Sequence, residues 1–268
     1  MPSPLSEPTA WSRVAYDYAE STAPFFANFA EPALEAAKVS AGHRVLDVAC
    51  GPGTLTFLAA KRGAQVTAVD FAPAMIEELQ KRASSLPSPI QAQVADGQVL
   101  PFADSSYDAA FSMFGLIFFP DRGKGFAELH RVLAPRGVAV ISSWQPMERF
   151  PMLGDVFAAL AKLLPNLPFG EGKAPLGSPD EIIAEMSAAG FASVQVKEVS
   201  ASATVPSIEQ AWAFMCRGSA PFALLRRNVG DARWLELQQG ILDALRAKYG
   251  PGEQTLTMVA NLGIGQKR

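Results

Sequence analysis

Three carboxylates in the first half of the chain are spaced for nucleoside chemistry. The run Val45-Leu46-Asp47-Val48-Ala49-Cys50-Gly51-Pro52-Gly53 reads as a buried strand that ends in an acid and breaks into a tight turn of small residues. A second acid, Asp70, closes the next apolar run, residues 65–69, and a third, Asp96, follows the run 90–94. An acid at the end of a second parallel strand can accept both hydroxyls of a ribose, as in the dinucleotide-binding folds. An acid followed by glycine, Asp96-Gly97, can accept from an exocyclic amine while the next N–H donates to a ring nitrogen, which together read an adenine edge. Asp47 sits where a pyrophosphate loop would not want negative charge, so it favours a ligand with a cationic amine.

Each residue also has a plainer reading. Asp70 can cap the helix that Pro73 begins, and the two roles are compatible. Asp-Gly commonly makes a polar turn. A glycine-rich strand-to-helix turn on its own binds nothing in many proteins, and Thr56 occupies the place of the last glycine in a Gly-x-Gly-x-x-Gly pattern. The case rests on the three acids together.

Other reactive residue types carry less. His130 falls in a helix away from the strand tips and His43 precedes the first strand, at the opposite edge. Cys50 lies in the turn without a basic neighbour to lower its pKa, which suits a small packing residue. Two cysteines and two histidines, dispersed, predict no metal site.

The elements that must position these acids alternate between strand and helix periods. Strands are expected at 45–48, 65–69, 90–94, 107–113 and 138–142, with helices at 54–62, from Pro73, and at 125–133. Pro87 and Pro89 break the chain before the third strand, and Gly63 ends the helix at 54–62. This alternation implies a parallel sheet covered on both faces. Further on, an apolar helix is expected at 151–164, then a loop rich in proline and glycine up to Gly177. Capping boxes at Ser178-Pro179-Asp180-Glu181 and Ser207-Ile208-Glu209-Gln210 open two more helices. A strand at 191–205 lies between them. An amphipathic helix at about 232–249 carries Leu235, Ile241, Leu242 and Leu245 on one face, and a last strand spans 255–264. At the other end, the first ten residues read as disordered. Trp11, Val14, Ala15 and Tyr18 then share a helix face, Phe25, Phe26 and Phe29 follow, and 33–37 reads as a second helix.

Composition narrows the function classes. Hydrophobic residues make up 49% of 268, enough for a substantial core. A net charge of −3 with no basic run argues against a nucleic-acid partner. No apolar stretch reaches the ~20 residues of a membrane span, and no signal peptide is evident, so a cytoplasmic location is expected. Oligomeric state is left open.

The glycine turn with Val69-Asp70 and Ala95-Asp96-Gly97, followed by Leu100-Pro101-Phe102, resembles the class I S-adenosylmethionine-dependent methyltransferases. The run Glu128-Leu129-His130-Arg131-Val132-Leu133-Ala134-Pro135-Arg136-Gly137 resembles the signature before strand five in the branch that includes quinone-biosynthesis enzymes. The resemblance covers about 41–144 and is specific for the cofactor, not for the acceptor. It implies an α/β fold with a Rossmann-like seven-stranded sheet, the last strand antiparallel, and a helical cap. It further implies that Asp47 faces the methionine amino group of S-adenosylmethionine and that Ala49, Gly51 and Gly53 form the turn against which the cofactor lies. Ala49 departs from the glycine that many members carry there. By the same resemblance Asp70 holds the ribose, Phe71 and Met75 pack near the adenine, and Asp96 and Gly97 read its edge. Met113 and Phe114 line the pocket near the sulfonium. A tyrosine of an N-terminal helix touches the methionine end, and its place in Tyr16-Asp17-Tyr18 suggests Tyr16.

The expected organisation is an N-terminal helical lid at 1–40, a cofactor-binding core at 41–145, and at 146–268 the remaining strands with an acceptor-binding cap at about 207–250. Phe150, Met152, Phe157, Phe169, Phe214, Met215 and Phe222 are mostly core, with some of them lining an apolar acceptor pocket. The expected function is in-line methyl transfer (O-, N- or C-) to a small apolar or aromatic molecule, with no secure general base. The alternatives are a nicotinamide-dependent oxidoreductase, which the missing third glycine and Asp47 disfavour, and a cofactor-binding protein that transfers no methyl group.

Overall fold

The computed structural model describes residues 3–84, 90–164 and 174–268. Pro87, Pro89 and Phe169 lie outside the described residues. Seven strands form one sheet in the order β3-β2-β1-β4-β5-β7-β6. They are β1 (Arg44–Val48), β2 (Gln65–Asp70), β3 (Gln91–Val94), β4 (Tyr107–Met113), β5 (Leu133–Trp144), β6 (Ala192–Val205) and β7 (Gln254–Gln266). β7 inserts antiparallel between β5 and β6, and the first five strands are parallel. The sheet is therefore the expected one. The chain builds outward from β1 through β2 to β3, then returns to place β4 on β1's other side. That reversal leaves a crevice beyond the carboxyl ends of β1 and β4, where open α/β sheets bind ligands.

β1 and β4 are buried on both faces, as strands between helical layers must be. One face carries Leu46, Val48, Ala110, Phe126, Leu129 and Ile141. The other carries Val45, Phe111 and Val140 under the helix that precedes β1.

The N-terminal segment is ordered, against the sequence expectation. A turn at Pro4–Ser6 and helix α1 (Pro8–Ser12) are held by the Trp11 indole, which donates to the Leu5 carbonyl at 2.8 Å, and by the Ser6 hydroxyl, which donates to the Phe118 carbonyl at 2.8 Å. Trp11 also packs edge-on against Phe118, ring centroids 4.8 Å apart. Two apolar anchors, Leu5 and Trp11, thus order a stretch whose proline and serine content reads as loop. A short helical turn α2 (Ala15–Asp17) and a wider π turn (Tyr18–Thr22) lead into α3 (Ala23–Ala36), which runs unbroken through Pro32 where two helices were expected.

The next helices are α4 (Thr54–Lys61), α5 (Pro73–Ala83), α6 (Arg122–Val132), α7 (Pro151–Leu163) and α8 (Pro179–Ala188). Between β6 and β7 come α9 (Ile208–Cys216), α10 (Ala220–Val229) and α11 (Asp231–Tyr249). Both serines cap their helices as expected, Ser178 accepting from the Glu181 N–H and Ser207 from the Gln210 N–H. α10 was not anticipated, although proline at its first turn is a start signal. Leu235 is 64% exposed and off the buried face of α11, which is Trp234, Leu237, Ile241, Leu242 and Leu245. That spacing of three and four residues defines the stripe, and Leu235 lies one residue past it. These helices and α7 share a core of their own built on Trp212, Phe222, Trp234 and Leu160.

Candidate functional site

A cavity of about 610 Å³ opens where the carboxyl ends of the strands converge. The turn after β1 contributes Ala49 and Gly51, the end of β2 contributes Asp70 followed by Phe71, and the first turn of α5 contributes Met75. The loop after β3 contributes Asp96 and Gly97, and β4 contributes Met113 and Phe114. Nine of the expected residues are thus brought together. Asp47, Gly53 and Tyr16 do not line this cavity.

Asp47 is 1% exposed and faces a smaller pocket beside it, shared with Tyr18, Phe26, Ala49 and Phe114. The Thr56 hydroxyl donates to its Oδ2 at 2.6 Å. Burial pushes this carboxyl up to about 7, against the Thr56 bond, and the charge of Asp70 adds to the rise. Burial likewise pushes Asp70 up to about 6, although the N–H groups of Gly51 and Ala72 both donate to it at 2.9 Å. The Ala72 bond is a local turn two residues on, ahead of α5, whose N-cap is Ala72 and takes no side-chain cap, so Asp70 does not fill the helix-capping role expected of it. Two buried acids converge here, and no cationic side chain is among the causes that set their ionisation.

Backbone conformation explains the small-residue turn. Ala49, Gly51 and Gly53 have φ of +56°, +55° and +95°. Gly53 serves the turn rather than the cavity. A Cβ on it would meet Phe57 at 2.9 Å and Leu79 at 3.0 Å, so glycine here permits the left-handed bend and the seating of α4 on α5. Ala49 adopts the same left-handed region with a methyl group, which fits because its neighbour across the turn is Gly115.

The adenine-edge candidates are held by a clamp. Asp96 Oδ1 accepts from the Gln98 N–H at 2.8 Å, and Gln98 Oε1 accepts from the Asp121 N–H at 2.9 Å. A Cβ on Gly97 would meet the Phe119 ring at 2.5 Å and Val48 at 2.8 Å, so only glycine lets that loop lie on β1. Glu128 accepts from the Leu100 N–H at 2.6 Å, and Arg131 donates to the carbonyls of Leu100 and Phe102 at 3.0 and 2.7 Å. Within the run at 128–137, Glu128 and Arg131 thus hold the loop that follows Asp96.

Tyr16 is 60% exposed, with the Lys81 ammonium 5.8 Å from its ring centroid. Tyr18, two residues on, lines the cavity instead. Tyr16 points outward, and only Tyr18, the first residue of the π turn, continues the inward face of Val14 and Ala15. Burial and the charge of Asp70 hold the Tyr18 phenol well above its ordinary range. His130 packs edge-on to Phe191, away from the cavity, and the Cys50 thiol is pushed well up by burial beside Asp47 and Asp70. Neither is a nucleophile or a base for this cavity. Among the described residues no cluster of His, Cys, Asp or Glu could hold a metal ion. No described helix is long and apolar enough to cross a membrane.

Beyond Phe114 the wall turns aromatic. Phe114, with φ +59°, stacks on Trp144 at 4.0 Å, and Phe26 and Phe29 meet both edge-on. The Phe114 N–H donates to the Ser142 hydroxyl at 2.9 Å, which fixes that unusual backbone. Leu153, Phe157, Phe214, Phe222 and Met258 continue the apolar wall from α7, the cap helices and β7. Among the anticipated aromatic and methionine residues, Phe150 and Met152 are buried and do not line it.

Residues 45–137 match the family described as Methyltransferase domain. The chain is 32% identical to a demethylmenaquinone methyltransferase of Thermus thermophilus, over 59% of this chain and 79% of that protein. It is 38% identical to an uncharacterized protein of Mycobacterium tuberculosis over 48% of this chain and 47% of that protein, so the match spans about half the length of such relatives. Among solved structures, the YcgJ protein of Bacillus subtilis superposes with a TM-score of 0.59 at 21% identity, over 89% of this chain and 97% of that one, a likeness of fold.

Proposed function

This chain belongs to the class I S-adenosylmethionine-dependent methyltransferase family, and from that premise we propose that it methylates a small apolar or aromatic acceptor. The observation that carries the reading is the pair of buried acids, Asp47 and Asp70, with no cation beside them. A buried carboxylate without a cationic partner is costly, and a ligand that brings an ammonium relieves that cost. The donor set thus fits the family's cofactor, which has a cationic amino-acid end, a ribose and an adenine.

Asp47 would face the amino group, held in place by Thr56. Asp70 would accept the ribose hydroxyls on the lone pairs left by Gly51 and Ala72. Phe71 and Met75 would pack on the adenine, with Asp96 and Gly97 at its edge. Tyr18, in place of Tyr16, would close the methionine end, and Met113 and Phe114 would lie near the sulfonium. When bound, the cofactor supplies an electrophilic methyl group that an acceptor takes by in-line displacement. The protein's part is to hold the acceptor in line and keep water out, a positional effect worth several kcal/mol. The N-terminal segment would serve as the lid and α9–α11 as the acceptor-binding cap.

The name of the Thermus relative makes a quinol-type ring the first acceptor to try. Incubation with methyl-labelled cofactor and a panel of phenols, amines and quinone precursors tests the reading. Label is expected in an apolar aromatic product. Tight cofactor binding with no transfer to any of them would favour a protein that binds the cofactor for another purpose.

A further inference from the structure

The acceptor half of the cavity has a charge pattern that narrows the acceptor further. Its wall, formed by Trp144, Leu153, Phe157, Phe214, Phe222 and Met258, carries no acid, histidine or lysine. Among the described residues lining the whole cavity, the titratable ones are Tyr18, Asp70, Asp96 and Arg217. Tyr18 and the two acids belong to the N-terminal segment and to the tips of β2 and β3, at the nucleoside end. Arg217 follows α9, the helix that supplies Phe214 to the cavity lining.

Arg217 is the one cationic residue among the described residues of that lining, and it forms no ion pair there. Neighbouring arginines do: Arg226 binds Asp231 at 2.7 Å and Arg246 binds Glu209 at 2.8 Å. The main chain at Arg217 is fixed, since its carbonyl accepts from the Thr22 hydroxyl at 3.1 Å and its N–H donates to the Ala213 carbonyl. A Cβ on the next residue, Gly218, would meet Thr22 Oγ1 at 2.4 Å and Tyr18 Cα at 2.8 Å, so cap and lid touch at this point. Arg217 is exposed to solvent and also lines the cavity.

We infer that the acceptor binds as an apolar monoanion, a phenolate, enolate or carboxylate, with its charge met by Arg217; this rests on the methyltransferase reading above. An acceptor that arrives ionised needs no base, and the wall offers none.

4-Nitrophenol, whose visible absorbance reports its ionisation, tests this with 4-nitroanisole as the neutral counterpart. The protein is first saturated with S-adenosylhomocysteine, which fills the nucleoside end without a sulfonium charge. Wild type is expected to bind the ionised phenol about fivefold more tightly than the neutral phenol, the strength of an exposed ion pair, so the bound phenol ionises at lower pH than the free one. Arg217→Gln is expected to abolish that shift while binding of 4-nitroanisole stays unchanged. A bound phenol that ionises at higher pH in wild type would overturn the inference. So would a shift that survives in Arg217→Gln, or binding of neither phenol nor anisole. Failure of S-adenosylhomocysteine to bind would instead defeat the methyltransferase reading itself.

Discussion

The Thr56 hydroxyl donates to the Asp47 carboxylate at 2.6 Å, and both groups are buried. Thr56 thus fills the position where a dinucleotide-binding turn would carry its last glycine, and it uses that position to hold an acid. Removing the donor in Thr56→Val leaves Asp47 buried with less support for its charged form. The expected result is about tenfold weaker binding of S-adenosylhomocysteine by calorimetry, from the loss of one hydrogen bond to a charged group. Thr56→Ser should retain most of the affinity.

The raised acids make cofactor binding depend on pH. Asp47 and Asp70 titrate near 7 and near 6 in the cofactor-free protein, above their ordinary value of 3.8. A bound ammonium favours their charged forms, so affinity should fall as pH drops through 7 and 6, by up to tenfold per pH unit for each proton taken up. The same groups act on stability with the opposite sign. The folded protein holds protons that the unfolded chain gives up, so their contribution is present below about pH 4 and is lost as pH rises through 6 and 7. Asp47→Asn is therefore expected to raise the Tm of the cofactor-free protein at pH 8, leave it unchanged at pH 4, and flatten the pH dependence of binding.

A Cβ on Gly115 would lie 2.4 Å from that of Ala49 and 2.9 Å from Ser112 Oγ. Gly115→Ala should destabilise by about 1–3 kcal/mol through overpacking. Ala49→Gly should stabilise by about 1 kcal/mol, because it frees a left-handed residue of its methyl group. The double variant should recover part of the Gly115→Ala loss, with the Ser112 contact accounting for the rest. Urea titration of the four proteins measures that coupling.

The contact of Gly218 with Tyr18 and Thr22 joins the N-terminal segment to the cap. Gly218→Ala meets both a positive φ of +74° and a backbone clash. Hydrogen exchange should quicken across the N-terminal segment while the strand core keeps its protection. Exchange that is unchanged there would show that the segment is held elsewhere, by Ser6 and Trp11.

Much of this was legible in the sequence because local rules and the global fold agree. Gly63, the two serine caps and the strand-terminal acids each mark a boundary through local chemistry, and all of them appear where expected. What was missed depends on contacts between distant residues. Nothing near residue 11 says that Trp11 will find Phe118, more than a hundred residues on, so the N-terminus read as disordered. The choice between Tyr16 and Tyr18 turns on helix phase at the end of α2, which two tyrosines two residues apart do not reveal. The same phase question misplaced Leu235. Thr56 was read only as an absent glycine, and the signal that could have found it is a hydroxyl nine residues after an acid, across a strand-to-helix turn. The role of Glu128 and Arg131 as a clamp on the Asp96 loop was likewise hidden, since their partners lie on another element.

The central claim is that the crevice takes an adenosyl cofactor by its cationic end. Calorimetric titration of wild type and Asp47→Asn with S-adenosylhomocysteine, adenosine and NAD tests it most directly. The account predicts that wild type binds S-adenosylhomocysteine well above adenosine, that Asp47→Asn loses most of that preference, and that NAD binds weakly to both. Tight binding of NAD without S-adenosylhomocysteine, or a preference that Asp47→Asn leaves intact, would contradict it.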